Sequence, residues 1–187
     1  MERNLDMSLV YTFLADGSEE VEALAVVDIL KRAGIETKTV SVNGTKEIKS
    51  SHDIVIKTDL LFEEADFDKA DMIFLPGGIP GTPNLASHSG LIEKIKEFDT
   101  QGKKISAICA APSILGELGM LRGKKATCYP GFEEKLIGAK YTGEKVVTDG
   151  NIITAKGLGA AIELGLELVK IFVDEDTAKD IAEKIQL

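Results

Sequence analysis

Residues 8–34 read SLVYTFLADGSEEVEALAVVDILKRAG, and this stretch decides the fold class. Ser8 to Ala15 is an unbroken apolar run, the pattern of a strand buried on both faces of a sheet. Asp16-Gly17-Ser18 breaks it. Ser18 reads as the N-cap of a helix, and Glu19 and Glu20 fall in the first turn, where solvated carboxylates suit the positive end of the helix dipole. The helix runs to about Ala33 and stops at Gly34. Val21, Ala23, Leu24, Ala25, Val26, Val27, Ile29 and Leu30 make it apolar around most of its circumference. Such a helix is buried on more than one side. One side faces the sheet. The other is expected to face a second copy of the chain, so that a charge at Val26 would give monomers.

The same alternation continues outward. Glu36 to Val42 reads as a strand, Glu47 to Lys57 as short strands around His52-Asp53, and Asp71 to Leu75 as another buried strand ended by Pro76-Gly77-Gly78. A helix is predicted over Ser89 to Thr100. Lys104 to Ile108 is a strand leading into Cys109-Ala110-Ala111-Pro112 and a helix to Leu118. A short strand spans Lys125 to Cys128. Val146-Val147-Thr148 and Ile152-Ile153-Thr154 flank Asp149-Gly150-Asn151, a hairpin signal. Helices over Ala160–Val173 and Asp176–Ile185 close the chain. Strands alternating with helices specify an α/β sandwich around a mostly parallel sheet, with a small antiparallel hairpin.

The chain has 187 residues, 44% hydrophobic and 28% charged, which suits one domain with a real core. The reading is a single domain over residues 8–187, with residues 1–7 as a flexible N-terminal extension. A formal net charge of −9, spread along the chain, argues against nucleic acid as a partner, because phosphate binding needs a basic face. The two cysteines, Cys109 and Cys128, are no disulfide framework. No Cys/His cluster has zinc spacing, so no structural metal is expected. The run Leu9 to Ala15 is too short for a membrane span and lacks a cleavage pattern, which reads as a cytoplasmic protein without membrane attachment.

Three segments are candidates for chemistry. Cys109 stands where a strand meets a helix, among the small residues Ala107, Ala110 and Ala111. Such a turn exposes a nucleophile, and the helix N-terminus is expected to lower the thiol pKa. The other reading is a buried structural cysteine. Glu22, near the start of an apolar helix, is either a desolvated carboxyl that holds its proton or one more solvated helix-start glutamate. Gly77-Gly78 follows a buried strand and offers either backbone N–H groups for an oxyanion or an ordinary turn. It is not a phosphate loop, lacking the lysine and spacing. His88 reads as solvent-exposed ahead of a helix, His52 as near a loop or interface, and Cys128 as a buried small hydrophobe.

Gly17-Ser18-Glu19-Glu20-Val21-Glu22, Leu75-Pro76-Gly77-Gly78 and Ala107-Ile108-Cys109-Ala110-Ala111-Pro112 together resemble the ThiJ/PfpI superfamily, in its DJ-one (parkinsonism-associated deglycase) branch and bacterial relatives. Lys31-Arg32-Ala33-Gly34-Ile35 and Gly157-Leu158-Gly159 extend the match. The resemblance runs from about Ser8 to the C-terminus. It implies a flavodoxin-like sandwich and a homodimer built partly on the first helix. It implies Cys109 as nucleophile, Glu22 as its protonated carboxyl partner, and the N–H groups of Gly78 and Ala110, with Gly77, as an oxyanion site. Tyr129, Arg32 and His52 fall at expected pocket positions.

The implied activities are cofactor-free conversion of methylglyoxal to lactate, deglycation of aldehyde adducts, and protection against oxidative stress. Redox sensing or a chaperone-like role through Cys109 is the alternative. The thiamine role in the family name has no residue behind it. The chain departs from the pattern in four places. Tyr129 stands where animal members carry histidine. Ala110 stands where the protease-like branch carries histidine, which argues against peptidase activity. His52 replaces a frequent arginine, and Leu158 replaces a proline.

Overall fold

The computed structural model describes residues 8–187, so the proposed extension over residues 1–7 lies outside the described part. Eleven strands and six helices follow one another as β1 (Leu9–Leu14), α1 (Glu20–Arg32), β2 (Glu36–Ser41), β3 (Glu47–Lys49), β4 (Val55–Lys57), β5 (Leu60–Leu61), β6 (Met72–Leu75), α2 (Gly81–Ser87), α3 (Ser89–Thr100), β7 (Lys104–Ile108), α4 (Pro112–Glu117), β8 (Lys125–Ala126), β9 (Lys140–Tyr141), β10 (Val146–Asp149), β11 (Ile152–Ala155), α5 (Ala161–Phe172) and α6 (Glu175–Lys184). Seven strands form one sheet in the order β10-β11-β7-β6-β1-β2-β5. All its pairings are parallel except β10 with β11, the predicted hairpin, which turns between Asp149 and Ile152. β3 and β4 make a separate antiparallel pair around His52.

The period-two alternation of the central strands divides the core into two layers. Tyr11, Phe13, Ile73, Leu75, Ile105 and Ala107 face α2, α3 and α4, where they meet Leu85, Leu91, Ile95 and Ile114. Val10, Met72, Phe74 and Ile108 face the other way, against Val26, Ile29 and Leu30 of α1 and Leu164 and Leu168 of α5. Both faces of the sheet are covered, which is why its strands read as continuous apolar runs. No described helix is long and apolar enough to cross a membrane.

Two expectations for α1 need correction. Glu19, not Ser18, is the N-cap: its carboxylate accepts the Glu22 N–H at 2.6 Å, while Ser18 Oγ accepts the Ala15 N–H one turn earlier. Val26 is fully buried in the protomer's own core, so it belongs to no outer face. α5 packs along α1 closely enough that a Cβ on Gly165 would come within 2.8 Å of the Ile29 Cβ. That layer helps bury Val26, Ile29 and Leu30 and leaves Val21 and Leu24 exposed. The sequence pattern also missed α2, whose Gly-Thr-Pro-Asn start carries turn residues.

The topology fixes where a ligand can go. The chain passes from β1 through α1 to β2 on one side and then crosses to β6 on the other side of β1. A crevice therefore opens between the carboxyl ends of β1 and β6, the usual ligand position in open parallel sheets. The Glu19 N–H donates to the Gly77 carbonyl across it at 3.0 Å. Cys109 follows the end of β7, the next strand along.

Candidate active site

Cys109 occupies the left-handed region at φ +65°, a conformation that costs a residue with a Cβ roughly 1–2 kcal/mol. Neighbouring strands and loops hold it there. Its N–H donates to the Ala155 carbonyl at the end of β11 at 2.9 Å, and its own carbonyl accepts the Tyr129 N–H at 2.8 Å. α4 begins three residues later, with Pro112 in its first turn. The result is the sharp strand-to-helix elbow that the small residues predict, with the thiol half-buried.

Glu22 reaches this elbow from α1. It is 1% exposed, its Oε2 accepts the Gly77 N–H at 3.0 Å, and it also meets the Leu158 N–H and the Cys109 thiol. Gly77 is needed for the approach. A Cβ there would lie 2.6 Å from the Cys109 Cβ and 2.7 Å from Glu22 Oε2. Burial raises the Glu22 carboxyl to about 7, which bears out the desolvated reading over the solvated one.

The thiol itself departs from expectation. Burial, followed by the negative charge of Glu22, pushes Cys109 up to about 12, where a lowered value was expected from the helix N-terminus. α4 has only six residues, so its dipole is weak against a buried carboxylate in contact with the sulfur. The N–H groups of Ala110 and Gly78 do point at the sulfur and favour its anion. Gly77 does not join them, because its N–H is already given to Glu22. Once Glu22 ionises near pH 7, the thiol keeps its proton, and each group's charge raises the proton affinity of the other.

The remaining candidates disperse. Glu19 and Glu20 are 8% and 6% exposed, against the solvated position expected of them. Glu19 turns inward to cap α1. Glu20 accepts from Ser51 and meets His52 Nδ1 at 2.9 Å; despite burial, its own backbone N–H and Ser50, then Ser51 and His52, hold its carboxyl below the usual range. Ligand atoms of Glu19, Glu20 and His52 lie within 4.8 Å of one another, but each carboxylate already serves a cap or a side-chain hydrogen bond. His52 is therefore held on Glu20. Arg32 sits at the far end of α1, about 20 Å from the helix start, and pairs with Asp28 at 2.6 Å. Within this chain it borders a cavity against α6, with Thr177, Asp180 and Lys184, and not the one beside Cys109.

His88 is half-buried and not solvated. It caps α3 by accepting the Leu91 N–H and packs on Phe62. Cys128 is fully buried, as expected, and both cysteines are free thiols.

Tyr129 is where the sequence placed it. It adjoins the elbow through its N–H, and its half-exposed ring lies over Gly157. A cavity of about 440 Å³ opens there, walled by Tyr129, Pro130, Gly157 and Leu158, with Lys145 and Lys156 on its lining. Leu158 also brings its backbone N–H near Glu22, a minor influence favouring the carboxylate. The sequence marked that residue only as a substitution, and nothing in local pattern singles out Lys156.

Comparison with known proteins gives the class. The DJ-1/PfpI family pattern matches residues 8–171, and the chain belongs to that family. Protein dj-1beta of Drosophila melanogaster is 34% identical over 90% of this chain and 91% of its own length. A protein described as a deglycase of Pyrococcus abyssi is 32% identical over 84% of this chain and 95% of its own length. DJ-1 homolog B of Arabidopsis thaliana is 38% identical over 85% of this chain, which spans only 36% of that longer protein. The structure of oxidized Toxoplasma gondii DJ-1 superposes with a TM-score of 0.91 at 33% identity, covering 96% of this chain and 98% of the other. The flavodoxin-like sandwich implied by the sequence is thereby shown.

The raised Glu22 carboxyl sets a pH dependence. An ordinary glutamate in the unfolded chain loses its proton near 4.5, whereas folded Glu22 holds it to about 7. Between those values the native state binds more protons. This stabilising contribution is therefore complete below about pH 4.5 and is lost as pH rises through 7. Relative to Glu22→Gln, wild type should lose up to about 3 kcal/mol of stability between pH 5 and pH 8 in urea unfolding. A difference between the two proteins that stays constant over that range would contradict the assignment.

Proposed function

We propose that this protein is a cysteine-dependent, cofactor-free enzyme acting on small reactive carbonyl compounds, with methylglyoxal as the simplest substrate and aldehyde adducts as larger ones. The observation that carries this reading is the buried carboxyl of Glu22 in contact with a thiol held at a strained elbow. The deglycase-named relative supports the same class of chemistry.

The residues supply each step. Ionised Glu22 takes the thiol proton, and the sulfur, faced by the Gly78 and Ala110 N–H groups, adds to the aldehyde carbon. Glu22 hands the thiol proton to the former carbonyl oxygen, which gives a hemithioacetal with the aldehyde proton still on carbon and leaves Glu22 ionised again. Glu22 removes that proton and returns one to the adjacent ketone carbon. The aldehyde carbon is oxidised to a thioester while the ketone is reduced to an alcohol, so no external redox partner is needed. Water then cleaves the thioester, giving lactate and the free thiol. Tyr129 stands where a histidine base is expected, so the carboxyl does this work alone. Enzymatic lactate assay should show turnover of methylglyoxal by wild type, none by Cys109→Ser, and a loss of about a hundredfold or more in Glu22→Gln. Wild-type activity no higher than buffer ends this proposal.

Redox sensing is the second reading. Cys109 is the half-exposed thiol and Cys128 the buried one, and a solved relative is described as oxidized. Mild peroxide should then oxidise Cys109 ahead of Cys128 in peptide mass spectrometry. Equal or reversed order counts against it.

A homodimer through α1 is also proposed, on a narrower face than the sequence suggested. Val21 and Leu24 are 47% and 42% exposed on the first two turns of α1, and Ile54 and Val55 are exposed on the β3–β4 hairpin. Leu24→Glu should shift sedimentation from dimer to monomer, while Val26→Glu should lower the melting temperature through its core position. A Leu24→Glu protein that sediments like wild type would remove α1 from the interface.

A further inference from the structure

The cavity beside the elbow has a charge that the chain as a whole does not share. The protein carries a net charge of −9, yet among the described residues the only charged side chains bordering this cavity are those of Lys145 and Lys156. The two differ in availability. Lys145 is exposed and pairs with Glu163 of α5. Lys156 is half-buried and has no carboxylate partner among the described residues. Its ammonium meets the Gly143 carbonyl at 3.3 Å. A half-buried cation without a counter-ion is poorly screened by solvent, so its attraction for an anion is stronger than that of a surface lysine.

The cavity is joined to the reacting pair by backbone. The Tyr129 N–H is bonded to the Cys109 carbonyl, and the Leu158 backbone lies close to the Glu22 carboxyl. Lys156 directly follows β11, whose last residue, Ala155, accepts the Cys109 N–H. The rest of the wall is apolar or small: the Tyr129 ring, Leu158 and the glycines beside it. At about 440 Å³ it has room for a chain of several carbons beyond the carbonyl.

We propose that Lys156 makes this site selective for reactive carbonyl compounds bearing an anionic group, the carbonyl at Cys109 and a carboxylate a few carbons away in the Tyr129–Leu158 cavity. The inference rests on Cys109 being the reacting group, as in the reading above, and narrows its substrate class to anionic 2-oxoaldehydes. The compound 4,5-dioxopentanoate meets the description. It has the same oxoaldehyde head as methylglyoxal with a carboxylate at the other end. Its conversion consumes one water: the aldehyde carbon is oxidised to a carboxylate, the ketone is reduced to an alcohol, and the product is 2-hydroxyglutarate.

Two readouts separate this proposal from the activity it builds on. The first is independent of turnover. Cys109 in the full-length protein is alkylated with iodoacetate, an anion, or iodoacetamide, its neutral analogue. In both cases the sulfur displaces iodide, and mass spectrometry follows the rate. The iodoacetate-to-iodoacetamide rate ratio should fall about tenfold in Lys156→Glu, and by less in Lys156→Gln. It should be retained in Lys156→Arg and decline with added salt in wild type.

The second readout is the ratio of kcat/KM for 4,5-dioxopentanoate over methylglyoxal, which should fall in the same order. A wild type that turns over neither compound but keeps the Lys156-dependent alkylation ratio would end the proposed activity and leave the anion-selective cavity standing. Ratios that are the same in wild type and Lys156→Glu would overturn the cavity proposal, whatever the activity.

Discussion

The contact between the Glu22 carboxyl and the Cys109 thiol is the constraint around which the rest of the structure is arranged. Two groups that both become anions cannot be buried together with both protons gone, so the pair keeps at least one proton through the neutral range. Bringing them together requires that nothing intrude between α1 and the elbow. Gly77 meets that need by having no side chain, and its N–H compensates part of the cost of burying the carboxylate. A chemistry that depends on a proton moving between carbon and carboxyl follows naturally from such a pair. A permanently ionised, low-pKa thiol does not.

The elbow shows how strain is maintained by tertiary bonds. Left-handed backbone at a cysteine does not persist by local preference. Here the Cys109 N–H and carbonyl are each bonded to a different segment, Ala155 of β11 and Tyr129 of the loop after β8. Those same segments border the cavity beside Lys156, so the wall of that cavity and the support of the Cys109 elbow are one piece of backbone. The opposite side of the crevice is closed by α1, whose cap, Glu19, and second glutamate, Glu20, are buried in hydrogen bonds of their own. Three neighbouring glutamates thus have three roles, as helix cap, partner of His52 and partner of the thiol, and their surroundings alone set them apart.

Much of the fold was legible because apolar runs such as Ser8 to Ala15 and Asp71 to Leu75 sit on strands covered on both faces, where burial writes itself into sequence without alternation. The hairpin at Gly150 and the elbow after Ile108 were legible because tight turns demand particular small or flexible residues. α2 was not, since its first residues are turn formers and its helical state depends on packing Leu85 under the sheet. Val26 was misplaced for a related reason. An all-round apolar helix announces that it is covered, but not whether α5 of the same chain or another molecule covers it.

The sequence by itself determined the layer order, the position of Cys109 at a strand-to-helix junction, and the set of residues from which a site would be drawn. These depend on local pattern and turn chemistry, which lie along the chain. Tertiary structure alone decided which glutamate meets the thiol, that Gly77 serves Glu22 while Gly78 and Ala110 face the sulfur, that Arg32 stands a helix length away, and that an unpaired lysine lines the neighbouring cavity. The physical reason is that proton affinity and charge selectivity are set by burial and by neighbours distant in sequence. Both take their values only when separate strands and helices are brought to one end of the sheet.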